Sequence, residues 1–522
     1  IDGEYEDSSG NSVNATLYFL DLDPSDVYGV KLTSSDVYDL FKDTAASSSM
    51  IHADDDNPIV IAAGEDVGHL NLRFSKSAEI TAGRDIYQIS YIGQNLNSDD
   101  VTSLIAGRDI TDLITVDMAT LSDDATEEEI SDAYDTYNRA RLATGIQVGG
   151  PGYLVVAAAN SIDLGSSLGI RTIGNQNLDA LGNVGSSLVV MAGYNMDKTP
   201  EEIVGFFDAL REVGVEYSEL QADGDASGAL ALVEEARQSL VYPFLGDATG
   251  EGNVDMIKSE ITTILGGDIS IIAANDVNVG YTTLATSSGN DEAGTGINTR
   301  YGGAINIFAE NDVNVNESRV MTWFGGDITA WSDVGDINAG RGSKTAVNMS
   351  KPHKEAIPDT NPVQYKYVIT PVAAGSGMRT LTYDPDGASG EENAPTAGDI
   401  YLFAPSGVID AGEAGISGNK IILGATEVLN AQNINFSVAS VGVPTTSDTS
   451  VGIGSVTGVS NLVEQNKMID QASGMASARE QLEKDSGLVD KVISWLDVKV
   501  TGFYMDAGAA DSGSEDDSKK EQ

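Results

Sequence analysis

The chain has 522 residues with no cysteine, and 29 Lys and Arg stand against 80 Asp and Glu, a formal net charge of −51. Without cysteine there is no disulfide, thiol catalysis or zinc–thiolate site, and so negative a field repels nucleic-acid phosphates and anionic lipid. Glycine at 57 and proline at 13 point to short strands with tight turns, and no apolar run reaches the roughly 18 residues of a transmembrane segment.

The chain opens at Ile1 with no Met and no signal peptide, as expected of a processed product or fragment. The first strand phrases carry an Ala-Gly-Arg-Asp turn: Ile80–Ile86 matches Ile105–Ile110, with Gly83 and Gly107 separated by 24 residues. Ile61–Val67 and Val190–Met196 are looser copies. Between them Thr126 and Glu129 form a capping box ahead of Ile130, Ala133, Tyr134 and Tyr137, a helical stripe.

Thr199-Pro200-Glu201-Glu202 predicts a second helix start, followed by Ile203, Phe206, Phe207 and Leu210 on one face. A helix through Leu230, Val233, Arg237 and Leu240 is expected next, and another through Val254, Met256, Ile257 and Ile261. Together they suggest a helical insertion over 198–265, either a recognition head or a brace on the scaffold.

The clearest signal follows. Gly267-Asp268-Ile269-Ser270-Ile271-Ile272-Ala273 leads to Asp276-Val277-Asn278-Val279, and the phrase returns from Gly303, Gly326 and Gly398. Ile269 to Val277 and Ile305 to Val313 are eight residues; Ile328 to Ile337 and Ile400 to Ile409 are nine. Alternation puts Ile269 and Ile271 on one face and Asp268 and Ser270 on the other. Starts separated by 36 residues (Ile269 to Ile305) and 23 (Ile305 to Ile328) fit a coil of roughly two dozen residues with loops inserted at one fixed corner. Asn278, Asn314 and Asn338 recur in place and are expected to stack as an amide ladder.

The fold class expected is all-β: a right-handed parallel β-helix, or solenoid, with helical and irregular insertions. A β-sandwich of short strands is the competing architecture. The expected division is β-helix over 1–197 with a helical insertion near 124–142, the insertion 198–265, coils over 266–342, a long irregular excursion over 343–397, and coils with capping elements over 398–503. Those last include helices near Ala476–Lys484 and Leu488–Leu496 and a strand over Leu496–Phe503, before a disordered acidic tail over 504–522.

Ala82-Gly83-Arg84-Asp85-Ile86 with Tyr91–Leu96, Gly145–Gly152, Gly335–Ala346 and Ile409–Ile416 resemble the C-terminal conserved region of the filamentous haemagglutinin family of exported proteins, over about Ile80 to Phe503. The resemblance implies a β-helical adhesin or filament protein of a Gram-negative surface, secreted or outer-membrane associated. It also implies two-partner secretion, with an outer-membrane β-barrel transporter as partner during export. The family's N-terminal secretion domain is not visible in this sequence. The surface partner, whether receptor, glycan or another copy, is left open.

β-Helices also house polysaccharide lyases and hydrolases, so an enzyme is the alternative. His52, His69 and His353 lie near no recurrent acidic cluster, and pairs such as Asp99-Asp100, Asp123-Asp124 and Asp54-Asp55-Asp56 read as solvated turns. Arg341–Thr345 lacks the spacing of a phosphate loop. No catalytic or cofactor-binding residue is expected. Metal ligands are unknown: calcium suits Asp-rich turns, but no set of ligands is assignable. A toxin-delivery stalk is disfavoured by the acidic end of the chain.

Overall fold

A computed structural model describes residues 1–6, 12–19, 52, 54–111, 145–175, 181–182, 184–195, 197–280, 295–341, 353–356, 365–368, 376–382 and 395–444. The helix expected near 124–142, the elements expected from Ala476 to Phe503 and the tail lie outside these residues, as does most of 343–397. Every described residue falls in the unit Ile1–Asn466.

The strands form a parallel β-helix whose coils each contribute to three ladders. Sheet 1 stacks Ile59–Ala63, Ala78–Ala82, Val101–Ala106, Tyr153–Ala158, Ser187–Ala192, Ile269–Ala273, Ile305–Ala309 and Ile328–Ser332, then the start of Ile400–Asp410. Sheet 2 stacks Ile162–Gly165, Val254–Met256, Val277–Val279, Val313–Asn314 and Ile337–Asn338. Sheet 3 stacks Gly145–Gly149, Gly169–Thr172, Glu260–Thr263, Gly296–Thr299, Arg319–Thr322 and Gly377–Thr380. Coils are numbered by their sheet 1 strand: coil 1 starts at Ile59, coil 3 at Val101, coil 4 at Tyr153, coil 5 at Ser187, coil 6 at Ile269, coil 7 at Ile305, coil 8 at Ile328 and coil 9 at Ile400. Near the start of the chain, Ala15–Phe19 extends sheet 3 beyond coil 1 by pairing with Leu70–Phe74, and Glu4–Glu6 pairs antiparallel with Ser12–Asn14.

The repeated phrases stack in register, Ile269 on Ile305, Ile328 and Ile400. Val313 nonetheless pairs with Ile337, so the extra residue in the nine-residue copies is absorbed in the turn. Inward residues such as Ile271, Ile307, Val277 and Ile297 are fully buried in one continuous core. No single coil could bury that face alone.

Corner side chains explain the rest of the repeat. At the corner between sheets 1 and 2, Asp66 Oδ1 accepts the Asp85 N–H (3.1 Å) and Arg84 Nε (2.7 Å). Asp85 Oδ1 does the same for the Asp109 N–H (3.2 Å) and Arg108 Nε (2.7 Å). Asp109 accepts the Ser161 N–H and Asn160 Nδ2, and Asp276 the Asp312 N–H and Asn311 Nδ2. Gly-Arg-Asp and Glu-Asn-Asp are therefore one device. The Asp caps the next coil's N–H, and the residue before it donates to the preceding coil's Asp.

At the corner between sheets 3 and 1 stands a glycine column, Gly267, Gly303 and Gly326, with φ of +89°, +92° and +88°. A Cβ on Gly303 would strike the carbonyl oxygen of Gly267, and one on Gly326 that of Gly303. Buried threonines brace the column: Thr263, Thr299 and Thr322 donate to the carbonyls of Gly267, Gly303 and Gly326 at 2.9, 2.8 and 2.9 Å. The amide ladder on sheet 2 forms in part, Asn314 Nδ2 donating to Asn278 Oδ1 (3.1 Å) and Asn278 Nδ2 to Asp255 Oδ1 (2.8 Å), whereas Asn338 Oδ1 turns to its own strand end and accepts the Gly340 N–H (2.8 Å).

Three expectations need correction. The stretch 343–397, expected as an irregular excursion, contains a strand of sheet 3, Gly377–Thr380, stacked on Arg319–Thr322. Val254–Met256 and Glu260–Thr263 are strands of coil 5, not a helix, because Val254, Met256 and Ile261 alternate into the core. Long excursions also leave from all three corners, after Ala192, after Gly280 and Arg341, and after Thr172. Stacking constrains the strands and leaves each corner able to extrude chain.

Candidate functional site

One outward row of sheet 1, beside the polar row of Ser270, Asn306 and Thr329, is apolar where a solvated face would be polar. Val189, Met191, Ile272, Phe308, Trp331, Phe403 and Ile422 form a second buried cluster outside the coil core. Their cover is the insertion. Helix α1, Pro200–Ala222, starts as the sequence predicts: Thr199 Oγ1 accepts the Glu202 N–H (3.3 Å), and the Glu202 carboxylate accepts the Thr199 N–H (2.8 Å). Helix α2, Ala226–Ala236, runs into a π-helical turn, Arg237–Val241.

Ile203, Phe206, Phe207, Leu210 and Tyr217 press down on the stripe. Phe206 meets Phe308 edge-on at 6.2 Å, and Tyr217 meets Phe403 at 5.3 Å. Glu201 lies beside Tyr153 in coil 4, and Tyr217 over Phe403 in coil 9. From Glu201 to Tyr217 the helix rises roughly 24 Å at 1.5 Å per residue, matching about five coil steps of ~4.8 Å. So α1 runs along the coil axis.

Two arginines clamp the insertion to opposite ends of one strand, Ile328–Ser332. Arg211 lies 3.6 Å from Asp327 and donates to Asn306 Oδ1 (3.0 Å). Arg237 grips Asp333 with Nε at 2.8 Å and Nη2 at 2.9 Å. Trp331 Nε1 and the Tyr242 hydroxyl also donate to Asp333, both at 3.1 Å. Burial, then the nearby Asp333 charge, holds Glu310 above the usual carboxylate range. Asp327 is raised by burial, and Tyr401 is pushed up to about 12 by burial and the charges of Asp399 and Asp327.

A trench of about 620 Å³ lies along the corner between sheets 3 and 1. Gly152, Gly267 and Gly303 line it together with Tyr153, Ser187 and Asp268, and Leu181, Gly182, Val184 and Gly185 contribute a wall. Leu181 packs on Leu96, and Asn175 Nδ2 donates to the Gly182 carbonyl (2.5 Å), which anchors those two residues.

Of the histidines, His69 Nδ1 sits 2.8 Å from Asp2 Oδ1, and with Glu4 these offer ligand atoms within 4.8 Å of one another, an exposed group able to hold a cation. His52 is half-buried, with a φ of +62°, and His353 lies in the small hairpin of His353–Ala356 with Tyr365–Val368. Asp100 caps the N–H groups of Leu96 and Asn97 at 2.6 and 3.0 Å, and Asp55 pairs with Lys76, so these acids do turn work; Asp123-Asp124 lies outside the described residues. The Asp333 cluster and the trench were not anticipated. The signal for the first was the apolar residue in the sixth position of each phrase, Ile272, Phe308, Trp331 and Phe403.

Residues 325–445 match the family described as filamentous haemagglutinin family outer membrane protein. The match includes two of the strings on which the resemblance rested, Gly335–Ala346 and Ile409–Ile416. No curated protein and no solved structure matches the chain.

Proposed function

We propose that this parallel β-helix, matched over 325–445 to the filamentous haemagglutinin family of outer membrane proteins, is a cell-surface structural adhesin that mediates attachment or self-association. The family match carries the reading, and the accounting of the acids supports it. Asp66, Asp85, Asp109, Asp276, Asp312 and Asp336 each accept an N–H of the next coil, which is scaffold work rather than hydrolysis. The family implies export through an outer-membrane β-barrel transporter. At a net charge of −51, copies repel one another within a Debye length of about 8 Å, so contact requires screening or divalent bridging between carboxylates.

The test is sedimentation and cell binding with and without calcium, beside a glycan-degradation panel. Calcium- or salt-dependent attachment without product release supports the adhesin. Sustained product release from any glycan would replace it with a polysaccharide lyase or hydrolase.

A further inference from the structure

We infer that the trench at the corner of sheets 3 and 1 is a binding site for an uncharged glycan chain, which rests on the adhesin reading and names its ligand class. The trench exists because stacking strips this corner of side chains. Its lining runs from Ser98 ahead of coil 3, through Pro151–Tyr153, Ser187 and Asp268, to Gly303 ahead of coil 7. That is about four coil steps, or roughly 19 Å at ~4.8 Å each. Its volume of about 620 Å³ lies inside the range of small-ligand sites, about 300–1,000 Å³.

Three features select the ligand. The first is a half-buried aromatic ring, Tyr153, beside the hydroxyls of Ser98 and Ser187 and the apolar Leu181 and Val184, a lining that offers ring-face contact together with hydrogen bonds. Ser187 Oγ accepts the Asp268 N–H (3.1 Å), which leaves its own proton for a ligand oxygen.

The second is that the floor offers an extended peptide little to pair with. The Ser187 N–H is spent on the Gly152 carbonyl (2.8 Å) and the Ala304 N–H on Asp268 Oδ1 (2.7 Å). The Gly267 and Gly303 carbonyls accept Thr263 and Thr299. Strand addition needs an open edge, and this one is closed by the coils themselves. The third is charge. Asp268 lines the trench and Glu201 lies beside Tyr153, so a uronate, sulfate or sialic acid would be repelled where a neutral or N-acetylated sugar is not.

The experiment uses the full chain and calorimetric titration with an N-acetylglucosamine tetrasaccharide, a neutral galactose-containing tetrasaccharide, a galacturonate tetrasaccharide and a lysine-containing heptapeptide. Val184 is 62% exposed on the rim, so Val184→Trp narrows the trench without touching the core. The expected result is saturable binding of at least one neutral probe, weakened tenfold or more by both Val184→Trp and Tyr153→Ala. The exposed-residue control Leu230→Ser should leave it unchanged, and the uronate should not bind. Asp268→Asn, which keeps the Oδ1 acceptor for Ala304, should admit the uronate. Neutral binding indifferent to both trench variants, uronate binding equal to neutral, peptide binding alone, or no binding by any probe each overturns the proposal. The adhesin reading is judged separately: cells that still bind the Val184→Trp protein refute the trench as receptor site and leave the adhesin, whereas failure of the wild-type chain to bind cells refutes the adhesin whatever the titration shows.

Discussion

Arg237 and Asp333 lie 96 residues apart and meet through two hydrogen bonds, Nε to Oδ1 at 2.8 Å and Nη2 to Oδ2 at 2.9 Å. The Asp333 side chain is fully buried and that of Arg237 is 15% exposed, so this is an interior ion pair fastening the insertion to coil 8.

Breaking it from one side should be severe. Arg237→Ala leaves the Asp333 carboxylate with only Trp331 and Tyr242 as donors, a loss on the order of 3–5 kcal/mol. Hydrogen exchange should rise across α1 and α2 while the coil strands stay protected. An unchanged exchange pattern would show that the apolar stripe alone holds the insertion.

Glu310 gives a pH-dependent test. Its pKa is raised in the folded chain, so folding favours the protonated form, and ionisation opposes folding as pH rises through the folded value. Glu310→Gln should therefore raise the melting temperature at pH 7, and the advantage should vanish below the unfolded carboxyl range near pH ~4.3, where Glu is neutral in both states. A gain that persists at pH 3 would assign the effect to something other than charge.

Adjacent glycines separate backbone strain from stacking. Gly302 and Gly303 both have positive φ, +80° and +92°. A Cβ at Gly302 meets open space, and at Gly303 it meets the Gly267 carbonyl. Gly302→Ala should cost about 1–2 kcal/mol of left-handed strain, and Gly303→Ala clearly more, since two coils must part. Urea midpoints compare them directly; equal shifts would mean that the corner yields.

The core face of the same coil is expected to be intolerant of charge. Ile307→Asp puts an unpaired carboxylate where exposure is zero, with a loss of several kcal/mol. Asn306, on the opposite face, is no solvent residue either: only 2% exposed, it accepts Arg211. Asn306→Ala should cost about 1–3 kcal/mol by leaving that donor without its acceptor, read from thermal melts beside Ile307→Asp.

The strand phrases were legible because stacking repeats the same demand in each coil, and period two with a fixed turn writes itself into the residues. Asn278 and Asn314 show this, since their ladder follows from position alone. Val254–Ile261 misled because Val254, Met256, Ile257 and Ile261 can be fitted to either period when a helical segment has just ended. What covers an outward face is a tertiary fact. Ser270 and Asn306 look solvated in the sequence and are 1% and 2% exposed because α1 lies over them. The trench was invisible for a related reason, since its lining comes from five coils and much of it is glycine.

The axial course of α1 also sets an order of assembly. The helix is encoded within coil 5, yet Tyr217 rests on Phe403 and Gly214 against Tyr401 in coil 9. Coils can add one upon the last, each template ready for its successor, but α1 has no complete seat until Phe403 is in place. Until then an aromatic stripe and an apolar helix face stand open together. Whatever shields them during that interval decides whether the growing stack of coils finishes or aggregates.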